Sequence, residues 1–277
     1  MKITKAAFFL LLLILLSYED SYSDELQNNF IDSSGIEKIV VRSTRIPSTT
    51  IDIGSSVYIL SQDQIKERGF TDAIDAISSA PGVTSKQNGS FGGVGTIRIR
   101  GASSAQTLVL VDGVPVNDAS SPGGGYNFEY LSTSNIESIE ILRGPQSTLW
   151  GSDAMGGVVN IYTKQPDSGS LGIASEIGSF GLKRANADVS FSGPKSKFRA
   201  ALAKTSADGI SKADKRDGNN EADGFESESY SFNGSLDFDS VTIRSSLSYV
   251  DSEVEYDSYG FATGVQDGDE KSNTQEF

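Results

Sequence analysis

The stretch Leu108-Val109-Leu110-Val111-Asp112-Gly113-Val114-Pro115-Val116-Asn117 decides how the middle of the chain folds. Four consecutive apolar residues, Leu108 to Val111, indicate a β-strand. Asp112-Gly113 is a strong signal for a two-residue hairpin turn, because such turns need positive φ angles that Asp and Gly accept. The stretch therefore predicts an apolar strand that turns sharply back through residues 114–116.

The region around this hairpin, residues 50–165, has the pattern of a compact α+β domain. Val57 to Leu60 predicts a strand, and Ser61-Gln62-Asp63-Gln64 is a capping box that opens a helix ending at Gly69. Thr71 is the expected cap of a second helix, which Ala80-Pro81-Gly82 stops. Three further strands are predicted at residues 96–100, 136–142 and 158–163, with Gly- and Ser-rich loops at 88–95 and 119–126.

After Pro166 the sequence changes to a strict period of two. Residues 185–192, 230–238 and 241–249 alternate apolar with polar side chains, and residues 171–178 and 197–204 do so less regularly. The connections at 193–196 and 238–240 are short, whereas 206–227 is predicted to be a long acidic loop. This alternation fits an outer-membrane β-barrel and fits a soluble β-sandwich equally well. An N-terminal signal peptide at residues 1–23 and the absence of helical patterns after Pro166 favour the barrel.

The N-terminus carries an export signal. Lys2 and Lys5 precede the apolar run Ala6 to Leu16, and small residues at Ser21 and Ser23 suit a peptidase. That run falls well short of the roughly 20 residues a membrane-spanning helix needs, so a cleaved signal peptide over residues 1–23 is favoured over a permanent anchor. Residues 24–49 are then a flexible lead-in. Residues 37–45 of this lead-in form a β-prone run. It is either an isolated strand that needs a partner strand from elsewhere or the first strand of the next domain.

The composition excludes several functions. The 277 residues include no His and no Cys, which removes imidazole triads, His-ligated zinc and thiolate chemistry. Acids outnumber bases by 37 to 23, a formal charge of -14 without a basic stripe, which argues against nucleic-acid binding. A carboxylate-based hydrolase has only scattered acids in its favour. Enzymes that use carboxylates, Lys or Ser alone remain possible on composition, and the expectation that the chain is not an enzyme and requires no cofactor rests on the resemblance given next.

In its order of signal peptide, short strand, α+β domain and alternating strands, the chain resembles the TonB-dependent outer-membrane receptors. The arrangement looks most like the cobalamin receptor branch. The stretches that carry the resemblance lie in the α+β domain, at residues 80–83, 97–101, 108–117, 139–145 and 149–161.

The resemblance implies that residues 50–165 are a plug inside a barrel of about 22 strands. Residues 166–277 would then supply the first five or six strands, so an N-terminal fragment of a longer, monomeric barrel in outer-membrane lipid is expected. It also implies a segment captured by the energy transducer TonB and its inner-membrane complex through strand addition. That TonB-binding segment comprises Glu37, Lys38, Ile39, Val40, Val41, Arg42 and Ser43.

Substrate contacts are expected from the Gly-flanked loops of the plug, where small polar residues allow close approach to a bulky ligand. Each candidate is equally consistent with an ordinary loop residue that has no binding role. The candidates are Asn88, Ser90, Phe91, Asn117, Ser120, Ser121 and Tyr126.

Two sets of charged residues are candidates for a structural or metal-binding role. Arg98, Arg100 and Arg143 are expected to pair with carboxylates of the barrel wall or of the plug, such as Glu140. In the cobalamin branch calcium orders the outer loops, and Glu221, Asp223, Asp257 and Asp269 resemble those ligand positions. One of the four is Glu where the branch usually has Asp, and a solvated acidic loop is the alternative.

The function expected from the resemblance is TonB-driven import of a bulky, scarce nutrient, with cobalamin favoured over a ferric siderophore. A secreted or periplasmic β-rich binding module is the alternative from a different class. The bacterial outer membrane is the expected location.

Overall fold

The computed structural model describes residues 40–41, 48–49, 55–89, 91–117, 124–166, 169–211, 222–238, 241–259 and 266–276. The predicted signal peptide and most of the predicted lead-in lie outside these ranges. Across the described ranges, no helix combines the length and the apolar character needed to cross a membrane.

A five-stranded mixed sheet forms the centre of the predicted plug, in the order β3-β8-β9-β6-β7. The parallel pair is β6 with β9, and the other neighbours are antiparallel. The hairpin predicted at Asp112-Gly113 is confirmed: Val111 pairs with Val114, and both turn residues have positive φ. The strands are β3 Ser56–Ser61, β6 Thr107–Val111, β7 Val114–Pro115, β8 Ile136–Arg143 and β9 Gly157–Thr163.

Three short α-helices accompany this sheet: α1 Gln62–Glu67, α2 Ala73–Ser78 and α3 Ser147–Trp150. The capping box predicted for α1 is present, with the Gln64 backbone N–H donating to Ser61 Oγ. The cap predicted for α2 is wrong. Asp72, not Thr71, is the N-cap, and its carboxylate makes no capping hydrogen bond because it binds Arg184 instead.

A two-stranded hairpin, β4 Val83–Gln87 with β5 Gly95–Ile99, lies beside the helices. The sequence pattern missed β4, since Val83 is its one buried residue and the other four are exposed. Pairing with β5 makes this segment a strand, because its own residues show no alternation.

The plug sheet is covered on both faces. One face packs α1, α2 and the β4–β5 hairpin over a core that includes Leu60, Ile77, Ile99 and Ile141. The opposite face is smaller and packs Leu110, Leu142 and Val158 against Trp150 and Ala154. The two covered faces explain why β6 is apolar from Leu108 to Val111.

A second sheet of six antiparallel strands, here called the wall, follows in simple sequential order. Its strands are β10 Ser170–Ile177, β11 Lys183–Ser192, β12 Ser196–Ile210, β13 Asp223–Phe238, β14 Val241–Tyr259 and β15 Gln266–Glu276.

The wall strands are longer than the sequence pattern indicated. The predicted loop 206–227 is shorter, because β12 continues to Ile210 and β13 begins at Asp223. The charged positions there stay in the ladder through cross-strand ion pairs: Lys204 bridges Glu226 and Glu228. The β10–β11 connection, residues 178–182, also departs from the expected pattern, since it is short but lies at the same end as the long loops.

The wall has two chemically different faces. Register places Leu171, Val189 and Leu202 on the outward face, away from the plug, and all three side chains are exposed. This apolar band ends at the stacked pair Tyr230 and Tyr249, whose ring centroids are 6.3 Å apart. An outward apolar band bounded by aromatic residues is the pattern of a membrane-embedded barrel wall.

The inward face of the wall is polar and lies against the plug. It carries Arg184, Arg199, Ser231 and Asn233, which all contact plug residues. The plug therefore sits on the polar side of a sheet whose other side is apolar.

The predicted TonB-binding strand is paired in the structure. Val40–Val41 forms β1, antiparallel to β2 at Ser48–Thr49, with Val40 opposite Thr49. Glu37, Lys38, Ile39, Arg42 and Ser43 lie outside the described residues.

Candidate functional site

The apical loop, residues 88–94, connects β4 to β5 at the wall end opposite the tight turn 193–195. The Asn88 N–H donates to Val94 O (3.1 Å) and closes the loop. Its Gly92 packs directly on the wall, since a Cβ there would lie 2.8 Å from both Phe225 and Val254. Two predicted substrate residues, Asn88 and Phe91, therefore lie where the plug meets the outer end of the wall. Ser90 is outside the described residues.

A second predicted substrate loop is shaped by Asn117. Both N–H groups of its side-chain amide are used, donating to Thr107 O (3.1 Å) and Gly124 O (2.9 Å), and its Oδ1 accepts from Val109 N–H (2.7 Å). Any ligand contact of Asn117 is thus limited to the remaining lone pair of Oδ1. Ser120 and Ser121 lie outside the described residues.

Tyr126, the next predicted substrate residue, makes an aromatic contact inside the plug. Its ring packs edge-to-face on buried Phe128, with centroids 5.0 Å apart. An edge-to-face pair holds a ring in one orientation while leaving its hydroxyl at the periphery. The role of these loop residues in ligand binding stays a prediction.

Glu129 joins the apical loop to the rest of the plug. Its carboxylate accepts from the Gly92 N–H (2.7 Å) and from the Gln87 side chain (2.5 Å). Burial raises the pKa of Glu129 to about 7, the hydrogen bond from Gly92 opposes that rise, and the charge of Asp72 adds to it. The carboxyl therefore titrates near neutral pH while it holds the loop.

The plug and the wall meet through an ion pair. Arg184 of β11 donates to Asp72 at 2.7 Å and also lies 3.4 Å from Glu176 of β10. Asp72 is the N-cap of α2, so the helix terminus is fastened to the wall at this point. The charges of Asp72 and Arg184 also act on Asp75, whose pKa is raised mainly by burial.

A second junction lies at Asn135. Its Oδ1 accepts from buried Arg199 of β12, and its Nδ2 donates to Ser231 Oγ of β13 at 3.1 Å. Arg199 is also paired with Asp188, at 3.4 Å. Next to it, Asn233 donates to Thr163 Oγ1 (2.9 Å) where the plug sheet ends.

A cavity of about 250 Å³ lies between α1 and strands β10 and β11. Polar residues line it from both sides, among them Lys66 and Lys164 of the plug and Asp188 of the wall. Burial lowers the pKa of Lys164, and the nearby charges of Arg199 and Lys66 lower it further. The plug–wall interface is thus polar and incompletely filled in the part of the chain that the structure describes, unlike the dry core of the plug.

Arg143 and Glu140 do not face each other in the plug sheet. Both residues belong to β8, and residues three apart on a strand point to opposite faces of the sheet. Arg143 instead donates to Pro81 O and to Ser56 Oγ, each at 2.6 Å, while Glu140 is buried on the other face beside Asn160. Arg98 and Arg100 are exposed at the end of β5. Pairing of these arginines with barrel carboxylates stays a prediction.

The predicted calcium ligands are only partly described. Asp223 is buried at the start of β13, and register places Asp257 of β14 opposite Asp269 of β15. Glu221 lies outside the described residues. No group of three or more acidic residues in the described ranges is arranged to hold a metal ion. Calcium binding stays a prediction, to be checked by calorimetry on the complete receptor.

Sequence reasoning missed the residues that join the plug to the wall and the apical loop. Asp72, Glu129, Asn135, Arg184 and Arg199 are single polar residues without a motif. One signal was available: in the alternation of 185–192, Arg184 continues the polar, inward face of β11. Its partner could not be read from the sequence, since 112 positions separate it from Asp72.

We expect replacement of Asp188 by Ala to weaken the plug–wall junction. Arg199 is 4% exposed, and losing Asp188 leaves its charge without a carboxylate. The cost should be about 2 kcal/mol, below the ~3–5 kcal/mol of a fully buried pair, because water still reaches the Asp188 side chain. Hydrogen exchange of peptides covering 133–143, followed against urea in the detergent-solubilised receptor, measures the loss.

Asp208→Ala is the matched control for this change, because Asp208 is an exposed carboxylate near the outer end of β12. It should leave the urea midpoint of those peptides unchanged. Equal effects of the two substitutions would contradict a specific junction at Arg199.

A plug packed on the polar face of an outward-apolar antiparallel sheet is the arrangement of a plugged outer-membrane barrel. Residues 49–158 match the family model of the TonB-dependent receptor plug domain. This match covers the plug and bears out the resemblance to the TonB-dependent receptors, and the predicted fold class, a plug domain followed by strands of an antiparallel barrel, is confirmed.

Two curated relatives are vitamin B12 transporters BtuB of Vibrio vulnificus. The chain is 34% identical to that of strain YJ016 over 142 residues, which is 51% of this chain and 22% of the relative. It is 32% identical to that of strain CMCP6 over 166 residues, 60% of this chain and 26% of the relative. The chain thus spans about a quarter of the length of these relatives.

Solved structures with a similar fold include two siderophore receptors. The ferripyoverdine receptor of Pseudomonas aeruginosa aligns with a TM-score of 0.65 and 17% identity, over 83% of this chain and 30% of that one. The ferric yersiniabactin uptake receptor FyuA of Yersinia pestis aligns with a TM-score of 0.55 and 24% identity, over 73% and 32%. At these identities the likeness concerns the fold alone.

Proposed function

We propose that the protein is a TonB-dependent transporter that imports cobalamin across the outer membrane. The observation that carries the proposal is the identity of 34% over 142 residues and 32% over 166 residues to two vitamin B12 transporters. Gly92 of the apical loop packs on Phe225 and Val254 at the outer end of the wall, which supports a role of this loop in contacting a bulky ligand.

The polar plug–wall interface supports transport. A dry apolar contact would resist movement of the plug, because every exposed Å² of apolar surface costs about 25 cal/mol. The contacts at Asp72–Arg184 and Asn135–Arg199 are polar, and water can replace their hydrogen bonds at a small net cost. Such an interface allows a mechanically pulled plug to rearrange within the barrel.

The energy for this movement is proposed to come from TonB. An outer membrane holds no nucleotide supply, so work has to reach the receptor from the periplasmic side. The segment 37–43 is the proposed attachment point, by addition of a strand to an edge of TonB.

Equilibrium binding to the full-length receptor in detergent tests the substrate. Cyanocobalamin should bind at least ~10-fold tighter, about 1.4 kcal/mol, than ferric pyoverdine or ferric yersiniabactin. Tighter binding of either ferric siderophore would overturn the cobalamin assignment and would leave the receptor family unchanged.

A further inference from the structure

Residues 127–135, here called the strap, run from the apical loop to the wall. At the upper end Asn127 Oδ1 accepts from Gly95 N–H (2.8 Å), and Glu129 accepts from Gly92 and Gln87. These two side chains hold the base and the tip of the apical loop. The loop therefore has few ways to move without breaking a bond to the strap.

The middle of the strap is fastened to the start of α2. Leu131 O accepts from Ala73 N–H (3.0 Å), and Thr133 N–H donates to Thr71 O (3.1 Å). Asp72, between those two positions, holds Arg184 of the wall. The lower end of the strap is Asn135, which binds Arg199 and Ser231. One short segment thus connects the apical loop to both wall junctions.

We propose that Glu129 is the positioning residue of the apical loop. It holds residues 88–94 against the wall through Gly92 and Gln87, and the strap connects this loop to the wall contacts of Asp72 and Asn135. The role of the loop in ligand capture rests on the function proposed above, whereas the attachment of the loop to Glu129 does not.

The charge of Glu129 sets how firmly the loop is held. The charged groups that act on it are Asp72 at the start of α2 and Arg184 of β11, and they have opposite effects. Opening the loop admits water and returns the pKa of Glu129 from about 7 toward its ordinary value of 4.5. The closed loop binds the proton more tightly, so raising the pH through 7 favours the open loop. With these two pKa values the open-to-closed ratio rises about 10-fold between pH 6 and pH 8.

Hydrogen exchange without any ligand tests this proposal. The peptide spanning 88–95 of the full-length receptor in detergent is followed at pH 6 and pH 8, after correction for the intrinsic effect of pH on exchange. The wild-type opening ratio should be about 10-fold higher at pH 8. An opening ratio that is equal at the two pH values would overturn the proposal without reference to any variant.

Glu129→Gln identifies the group that titrates. Gln is neutral at both pH values and keeps an acceptor for Gly92, so the variant should lose the pH dependence and resemble the wild type at pH 6. Asp75→Asn is the matched control, because Asp75 is a nearby carboxyl with a raised pKa and its side chain makes no described bond to the loop. It should keep the wild-type profile. The reverse pattern would assign the effect to Asp75 and overturn the role of Glu129.

A ligand measurement separates this proposal from the transport function. If the loop captures cyanocobalamin, wild-type affinity should fall from pH 6 to pH 8, and that of Glu129→Gln should stay level. A receptor that shows the exchange profile but does not bind cyanocobalamin would refute the substrate and retain the loop attachment.

Discussion

Val40→Pro is expected to abolish nutrient uptake and to leave ligand binding at the cell surface unchanged. Proline removes the backbone N–H of residue 40 and clashes with extended pairing, so the segment 37–43 can no longer add to a sheet edge of TonB. Ligand binding should persist because the proposed ligand loops belong to the separate plug fold. Uptake of labelled cyanocobalamin by cells, compared with its binding to the same cells, separates the two steps.

Thr49→Pro provides the control for this experiment. Val40 also pairs with Thr49 in the β1–β2 hairpin, so a proline at either position disturbs that hairpin. Thr49→Pro leaves every N–H of residues 37–43 in place and should retain uptake. Loss of uptake in both variants would shift the explanation from TonB capture to the hairpin itself, and full uptake by Val40→Pro would refute the TonB-binding assignment.

Gly157→Ala is expected to unfold the plug. Gly157 opens β9 opposite Arg143, and a Cβ there would lie 2.4 Å from Leu142 O and 2.8 Å from Ile99. The Leu142 oxygen is a backbone atom of β8, which is paired on both sides, so it cannot move aside without breaking the β8–β9 ladder. Overpacking of this kind costs about 1–3 kcal/mol before any loss of ladder bonds is added. Limited proteolysis of the receptor in detergent should show rapid cleavage within residues 55–165.

Gly113→Ala separates this clash from the backbone effect of losing glycine. Gly113 has φ +83° in the β6–β7 turn, and no atom lies within 4 Å of a Cβ placed there. The alanine should cost about 1–2 kcal/mol through its left-handed backbone alone and leave the plug resistant to protease. If both substitutions unfolded the plug, the contact at Leu142 would not be the cause.

Much of the plug could be predicted because its signals are local. The turn at Asp112-Gly113 and the capping box at Ser61 act within four residues, and both are present in the structure. The two-faced wall could also be predicted, since alternation along one strand indicates which side faces lipid. The sequence did not predict elements whose structure depends on a distant partner. β4 is one of them, because it is a strand only through its pairing with β5.

The strap is the feature that the sequence did not indicate. Glu129 follows an ordinary loop, and its neighbours in the sequence do not distinguish it from a surface carboxylate. Burial against the apical loop, together with the charge of Asp72, moves its pKa to about 7. The contact between Asp72 and Arg184 was likewise not indicated by the sequence, because the two residues are 112 positions apart.

The sequence by itself determined that the chain contains a hairpin-rich α+β domain followed by strands with one apolar and one polar face. Periodicity and turn chemistry are enough for this, because they depend on neighbours along the chain. Only the tertiary structure decided that the plug rests on the polar face of the wall, and that the apical loop, α2 and the wall are held by one strap. The hydrogen bonds among those contacts join residues up to 112 positions apart, and their burial and charge exist only after the chain has folded.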